Sequence, residues 1–272
     1  HTFNNGIRAW LNTSMTHAVN KVKFRDDAPL KPDYQKGAGH AINQVYSYID
    51  HGNLATWDDV IGSPVWTTGN DAKLPGDYNI VDFNGDGVID ADDRAPYQYS
   101  TMPQNTYNAS IGAEWKGFDL SLVFQGAAQR TIFRTGDNNG NEIWRIPMKA
   151  LYLNTSNQSV GNTWSPENRG AYYPTYSNKN EINDYNYQAS SWSVEDGSYI
   201  RLKNVTLGYN VPSAFLAKTK AISSCRVYVA GADLWEYSKI NDGWDPEASR
   251  KVSAAGRFPF VRTVTFGLNL TF

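Results

Sequence analysis

The chain has 272 residues and a nearly balanced charge, with 25 Lys and Arg against 27 Asp and Glu. No run of basic residues stands out, which argues against a nucleic-acid-binding surface or a polybasic membrane patch, and the single cysteine, Cys225, excludes an intrachain disulfide. No apolar stretch approaches the ~18 residues of a membrane-spanning helix, although a membrane barrel needs only ~10 alternating residues per strand.

The first hundred residues predict two strands separated by a connection. Residues 5–17 alternate apolar and polar side chains and predict a strand, and residues 41–50 predict a shorter one. Between them, residues 21–39 are charged and contain two prolines, which predicts a connection. Residues 51–104 predict one long loop with embedded turns.

The strongest local pattern predicts a hairpin of two strands, 105–115 and 118–126, joined by Lys116 and Gly117. A two-residue loop fixes the register of a hairpin. The predicted pairs on the apolar face are Trp115 with Phe118, Ala113 with Leu120, Ile111 with Leu122, and Ala109 with Phe124. Aromatic residues near both ends and aliphatic residues between them are typical of a lipid-facing surface, although the core of a β-sandwich would have the same profile.

The rest of the chain predicts three further strands, at 198–209, 225–235 and 260–272. In the first of these the apolar parity changes, which predicts a bulge near Asn204. The last strand alternates strictly, with a polar opposite face and an apolar face formed by Val264, Phe266, Leu268, Leu270 and Phe272. Taken alone, such a strand fits either the core of a soluble protein or a membrane barrel.

The lengths of the connections distinguish these two settings. If the last strand runs towards the periplasm, three long loops lie outside the cell and two shorter connections lie inside. The long loops are 51–104, 127–197 and 236–259, and the shorter connections are 116–117 and 210–224. Outer-membrane barrels have long extracellular loops and short periplasmic turns, whereas a soluble sandwich has no reason to keep this alternation. The residues therefore favour an all-β fold, an antiparallel transmembrane β-barrel. The polar residues expected to line its lumen are Asn108, Ser110, Glu114, Asp119, Ser121, Gln125, Thr265, Asn269 and Thr271.

Four stretches resemble the C-terminal third of the SusC-like TonB-dependent transporters, the outer-membrane family that imports glycans and peptides. They are Asp-Phe-Asn-Gly-Asp-Gly-Val-Ile-Asp at 82–90, Lys-Gly-Phe-Asp-Leu-Ser-Leu-Val-Phe-Gln-Gly at 116–126, Ser-Tyr-Ile-Arg-Leu-Lys-Asn-Val-Thr-Leu-Gly-Tyr at 198–209, and Arg-Thr-Val-Thr-Phe-Gly-Leu-Asn-Leu-Thr-Phe at 262–272. Their order and spacing fit the family over nearly all of the chain.

This resemblance implies a 22-stranded barrel with an N-terminal plug. Residues 1–272 would be its C-terminal segment and supply about seven strands, with the plug and the earlier strands upstream. The resemblance also implies the bacterial outer membrane as the location, a SusD-like surface lipoprotein as a cap, and energy from the TonB complex through the missing N-terminal part. The substrate would be a glycan or a peptide, and Phe272 resembles the C-terminal signal read by the barrel-assembly machinery.

Residues 82–93 are the clearest candidate site. They place oxygen ligands at positions 1, 3, 5, 7, 9 and 12 of a calcium-binding loop, with the main-chain carbonyl serving at position 7 and a glycine at position 6 for the sharp turn. These candidate ligands are Asp82, Asn84, Asp86, Val88, Asp90 and Asp93. Calcium suits such an all-oxygen set and would be structural, fixing a long external loop. The alternative is an Asn/Asp/Gly turn cluster without an ion.

Aromatic residues of the long loops either stack on sugars or pack the loops together, and the sequence assigns no ligand contact. They are Trp144, Tyr152, Trp164, Tyr172, Tyr173, Tyr176, Tyr185, Tyr187 and Trp192. No catalytic constellation is evident, because the acidic pairs are adjacent in turns and the four histidines lack zinc spacing. The protein is predicted not to be an enzyme. Two other classes remain open: a secreted calcium-binding, carbohydrate-binding β-sandwich, and a surface adhesin or structural β domain.

Overall fold

The computed structural model describes residues 1–133, 160–175, 177, 185–186, 188, 190–217, 221–240, 245–247 and 261–272. In chain order its strands are β1 (Arg8–His17), β2 (Tyr46–Ser47), β3 (Asp50–Asn53), β4 (Val65–Trp66), β5 (Tyr78–Ile80), β6 (Val88–Ile89), β7 (Ala95–Pro96), β8 (Asn105–Trp115), β9 (Phe118–Ala128), β10 (Thr131–Phe133), β11 (Val194–Asp196), β12 (Tyr199–Asn210), β13 (Ser224–Ser238) and β14 (Thr263–Thr271). Within the described residues, α1 (Trp57–Gly62) and α2 (Ser213–Leu216) are short α-helices, and 3-10 turns cover Asp33–Gln35, Asn70–Ala72 and Ala91–Asp93.

Six long strands form one sheet in the order β1-β8-β9-β12-β13-β14, and each is antiparallel to its neighbours. Because successive long strands reverse direction, the connections alternate between the two ends of the sheet. Residues 18–104, 129–198 and 239–262 connect strands at one end, and residues 116–117 and 211–223 connect them at the other. The predicted alternation of long and short connections is confirmed. Within the described residues the sheet is open, with β1 and β14 at its edges.

The predicted hairpin register is also confirmed. Trp115 pairs with Phe118, and Ala113 pairs with Leu120. The turn needs two residues with left-handed backbone, and both Lys116 (φ 46°) and Gly117 (φ 88°) have a positive φ. The pairing of β12 with both of its neighbours shifts between Leu202 and Asn204, which confirms the predicted bulge.

One face of the sheet is apolar, and none of the described residues covers it. The register places Leu120, Leu207, Val229 and Phe266 in one row across four strands, and their exposed fractions range from 38% for Leu120 to 79% for Phe266. A contiguous apolar surface across a whole sheet is unfavourable in water and favourable against hydrocarbon. In the part of the chain that the structure describes, no helix is long and apolar enough to cross a membrane.

Aromatic side chains border this apolar face at both ends. Trp115, Phe118 and Tyr209 lie near the end with the short connections, where Phe118 and Tyr209 have ring centroids 4.5 Å apart. Trp235 and Tyr237 lie towards the other end, exposed by 48% and 62%. Ten residues of a strand tilted by ~40° span roughly 25 Å along the membrane normal, which matches the apolar band of an outer-membrane barrel.

The predicted barrel strand at 41–50 is wrong, and the part of the sheet that the structure describes has six strands, against an expectation of about seven. Residues 46–47 and 50–53 form the short strands β2 and β3, which pair with β7 and β5 in the first long connection. Val45 and Tyr48 are buried there, exposed by only 7% and 2%. Their apolar character therefore serves a small core between the long connections and not a lipid-facing surface.

This small core lies in a unit that we call the loop cap, formed by residues 18–104 and the described residues of 160–198. The core consists of the buried side chains of Tyr48, Ile80, Ile89 and Tyr185, with Trp66 and Ala72 packed against them. Main-chain groups also join the two connections, since the Ser191 amide donates to the Tyr48 carbonyl at 2.9 Å. The loop cap thus holds two long connections together at one end of the sheet.

Candidate calcium loop, loop cap and sheet faces

The loop at 82–93 is folded around the carboxylate of Asp82. One carboxylate oxygen accepts hydrogen bonds from the amides of Gly85 (2.7 Å) and Asp86 (3.2 Å), and the other accepts from the amide of Gly87 (2.6 Å). Burial alone would raise the pKa of Asp82, but these three amide hydrogen bonds outweigh burial and lower it. Gly87 has φ +87°, a left-handed backbone that suits glycine at the predicted sharp turn.

Asp93 closes the loop from its other end. Its carboxylate is fully buried and accepts from the amides of Phe83 (2.6 Å), Asn84 (3.3 Å) and Asp90 (2.8 Å). Burial raises the pKa of Asp93, and the amide hydrogen bonds oppose that shift. Asp93 therefore ties the start of the loop to its last turn.

The remaining predicted ligands occupy the middle of the loop. The Asn84 side-chain amide donates to the Asp86 carboxylate at 2.9 Å, and Asp86 also accepts from the Val88 amide at 2.8 Å. Val88 begins the short strand β6, and Asp90 caps the following turn by accepting from the Asp92 amide at 2.8 Å. The structure thus brings all six residues into one compact loop.

The six candidate ligands fit calcium chemically, because all of them would bind it through oxygen. Their carboxylates, however, already accept hydrogen bonds from main-chain amides. Among the described residues, no three Asp, Glu, His or Cys side chains are grouped as they would be around an ion. Hydrogen bonds between the side chains and the amides of one loop are also expected of an Asn/Asp/Gly turn cluster without an ion. Calcium binding by the loop therefore stays a prediction.

Most described aromatic residues of the loops pack against one another. Trp164, Tyr173 and Tyr185 are buried, and Trp192 stacks on Tyr78 with ring centroids 4.7 Å apart. Tyr172 is 43% exposed, and its ring contacts those of Tyr173 and Trp192, with centroids 5.1 and 5.7 Å away. These contacts favour loop packing over sugar stacking for the described aromatic residues. Trp144, Tyr152, Tyr176 and Tyr187 lie outside the described residues.

Two buried charged residues of the loop cap, Asp77 and Lys73, were not predicted from the sequence. Asp77 is fully buried and accepts from the Leu74 amide (2.7 Å) and from the side-chain amide of Asn186 (2.8 Å). Burial raises the pKa of Asp77 to about 6. Lys73 is 2% exposed and donates to the Pro64 carbonyl at 2.6 Å, and burial lowers its pKa to about 8. Asn186 is 109 residues from Asp77, so no local pattern could have predicted the contact.

The polar residues predicted to line a lumen all lie on the face opposite the apolar one. The register pairs Asn108 with Gln125 and Glu114 with Asp119 on this face. An ion pair between Asp119 and Arg226 (2.5 Å) crosses over Gly208 of the intervening strand, where a Cβ atom would meet both side chains. The polar face therefore carries specific contacts between strands.

A sheet of successive antiparallel strands, apolar and uncovered on one face and polar on the other, has the form of an outer-membrane β-barrel wall. The chain is 30% identical over 247 residues to TonB-dependent receptor P3 of Formosa agariphila, which covers 86% of this chain and 22% of that protein. It is 31% identical over 216 residues to TonB-dependent receptor P26 of the same organism, covering 74% of this chain and 20% of that protein. With SusC of Bacteroides thetaiotaomicron it shares 25% identity over 197 residues, 71% of this chain and 17% of SusC.

Solved structures agree on the fold. The RagAB peptide transporter matches with a TM-score of 0.66 at 21% identity, over 98% of this chain and 27% of that chain. The closed-closed state of the RagAB peptide importer matches with a TM-score of 0.65 at 20% identity, over all of this chain and 28% of that chain. No family model matches the chain.

The chain belongs to the SusC-like TonB-dependent transporters of the outer membrane. It spans about a fifth of the length of the curated relatives that it matches. Those relatives are named as TonB-dependent receptors, which agrees with the expectation that the protein is not an enzyme.

Proposed function

We propose that this chain forms part of the wall and of the external loops of a transporter that imports a nutrient across the outer membrane. The observation that carries the proposal is the exposed apolar face opposite a polar face on one antiparallel sheet, together with long connections at a single end. Side chains in the wall perform no chemistry. They hold a polar lumen against the plug and the solute while the opposite face contacts lipid.

In the whole protein, residues 1–272 would be the C-terminal segment of a 22-stranded barrel. A SusD-like lipoprotein would close over the loop cap, and the TonB complex would supply energy through the N-terminal part. The support is the relationship to SusC and to receptors named for TonB dependence. Calcium at 82–93 would stiffen the loop cap beneath the lipoprotein.

The sandwich alternative is not favoured, because no second sheet covers the apolar face among the described residues. The substrate class has two candidates. The solved RagAB structures are named as a peptide importer and transporter, whereas the Formosa receptor names state no substrate.

The test uses the full-length protein in its native outer membrane. Affinity purification in detergent should recover the transporter with a surface lipoprotein, and deletion of its gene should abolish uptake of either labelled peptides or labelled oligosaccharides. Loss of peptide uptake alone would assign a peptide substrate, and loss of oligosaccharide uptake alone would assign a glycan. Unchanged uptake of both, with no co-purifying lipoprotein, would contradict the proposal.

A further inference from the structure

A cluster of ionised side chains lies on the polar face of the sheet, near the end with the long connections. Its centre is Arg201 of β12, whose side chain is 1% exposed. Arg201 donates to Glu236 of β13 through Nε at 2.6 Å and to Asp245 at 2.6 Å, and its guanidinium lies 3.0 Å from Glu247. One buried cation thus contacts carboxylates from the neighbouring strand and from the connection after it.

The bulge in β12 adds a second cation to the cluster. Lys203 lies at the shift in register, and its Nζ is 2.9 Å from the Glu247 carboxylate and 3.1 Å from that of Asp233. Asp233 itself has φ +52°, an unfavourable left-handed backbone for a residue other than glycine. Bulges redirect side chains near functional sites, and here the bulge places Lys203 between Asp233 of the neighbouring strand and Glu247 of the connection.

A third cation belongs to the connection that follows β9. Arg130 is 9% exposed and donates from Nη1 to the main-chain carbonyl of Pro246 at 2.7 Å. Three successive residues of the connection between β13 and β14 are therefore each held by a cation: Asp245 by Arg201, Pro246 by Arg130, and Glu247 by Lys203 and Arg201.

Buried ion pairs add little net stability compared with apolar packing, but they demand one geometry, because a charge left without its partner is costly. We propose that Arg130, Arg201 and Lys203 are positioning residues that fix residues 245–247 against the lumen side of the wall. They thereby hold these three residues at the end of the sheet that carries the long connections. The inference rests on the proposed function, since the polar face is a lumen only in a transporter barrel.

The experiment measures tryptic cleavage after Arg250 and Lys251 in the full-length, detergent-solubilised protein, with the unfolding temperature as a second readout. Lys203→Met, and separately Asp245→Asn combined with Glu247→Gln, should accelerate cleavage by about tenfold, as expected for the loss of a charge-assisted hydrogen bond. Lys203→Arg should restore slow cleavage, because it keeps the charge. The control is Lys239→Gln, which breaks the exposed pair with Asp196 and should change the rate by less than about twofold.

Three results together would support the proposal: rapid cleavage in both charge-removing variants, slow cleavage in Lys203→Arg, and an unchanged unfolding temperature. Cleavage at the wild-type rate in the Asp245→Asn, Glu247→Gln variant would overturn it, even if Lys203→Met failed to fold. The cleavage assay does not depend on transport, so failure of the nutrient-import proposal would be seen separately, in the uptake measurements.

Discussion

Tyr228 of β13 lies directly opposite Gly267 of β14, and its ring covers the glycine on the polar face of the sheet. The same arrangement recurs where Trp10 faces Gly112. In each case a Cβ atom on the glycine would overlap the aromatic ring. Aromatic rings that cover glycines on a neighbouring strand help to fix strand register, so these pairs mark positions where the polar face tolerates no side chain.

The first prediction concerns that contact. Gly267→Val should destabilise the barrel by about 1–3 kcal/mol, because the new side chain must displace the Tyr228 ring. Thr265→Val is the matched control, since Thr265 lies on the same strand and face but opposite Ala230. Urea unfolding of the refolded full-length protein in detergent measures both. Equal stability of the two variants would contradict the packing described for Tyr228.

The second prediction separates the two faces of β8. Ile111 belongs to the apolar face and is 42% exposed, and its neighbour Ser110 belongs to the polar face. Ile111→Arg should lower the free energy of unfolding by about 2–4 kcal/mol, as for a charge near the bilayer midplane. Ser110→Arg should cost much less, because its side chain enters a wet lumen. Unfolding in lipid vesicles is the measurement, and equal costs would show that the faces are misassigned.

The third prediction is that residues 82–93 bind calcium. Isothermal titration of the full-length protein should detect the binding of one calcium ion to this loop. Asp86→Asn should lower the affinity for that ion by about tenfold or more, because the ligand loses its charge. Asp58→Asn is the control, since Asp58 is an exposed acidic residue of α1, outside the loop. Absence of calcium-dependent heat in the unmodified protein would leave the loop as a hydrogen-bonded turn cluster.

The fourth prediction concerns pH and the loop cap. The folded-state pKa of Asp77 is raised to about 6 from its ordinary value of 3.8, so folding favours its protonated form. Its contribution to stability is therefore complete below pH 3.8 and is lost as the pH rises through 6, by at most about 3 kcal/mol. Hydrogen exchange at the Leu74 and Tyr78 amides, corrected for intrinsic rates, should report weaker protection at pH 7 than at pH 4.5.

The matched variant for this prediction is Asp77→Asn, which does not titrate. Protection of its Leu74 and Tyr78 amides should change much less between pH 4.5 and 7 than in the unmodified protein. Lys73 works in the opposite direction, because its folded-state pKa is lowered to about 8: its contribution is complete above pH 10.5 and is lost as the pH falls through 8. A pH dependence that persists in Asp77→Asn would assign the effect to another group.

The long strands and their register were predictable from sequence because a two-residue period and a two-residue turn leave few alternatives. Lys116 and Gly117 fix which residue faces Phe118, and the change of parity near Asn204 locates the bulge. The period alone does not say what covers the apolar face. That ambiguity caused the error at 41–50, where Tyr48 is buried in the loop cap.

The polar contacts of the loops were not predictable, because each joins segments far apart in the chain. Asn186 reaches Asp77 over 109 residues, and Asp245 reaches Arg201 over 44. These contacts depend on the paths of entire connections, which the periodicity of hydrophobic residues does not predict. The 82–93 loop was located because its spacing is local, whereas its occupancy by an ion depends on side-chain orientations that the sequence does not determine.

The central claim is that the apolar face of the sheet contacts lipid, and spin labels along β8 of the full-length protein in lipid vesicles test it most directly. Labels at 107, 109, 111, 113 and 115 should be accessible to oxygen and shielded from a water-soluble nickel reagent. Labels at 108, 110 and 114 should show the opposite preference or be shielded from both. Odd-numbered positions shielded from both reagents would mean that the face is packed in a protein core and would contradict the barrel wall.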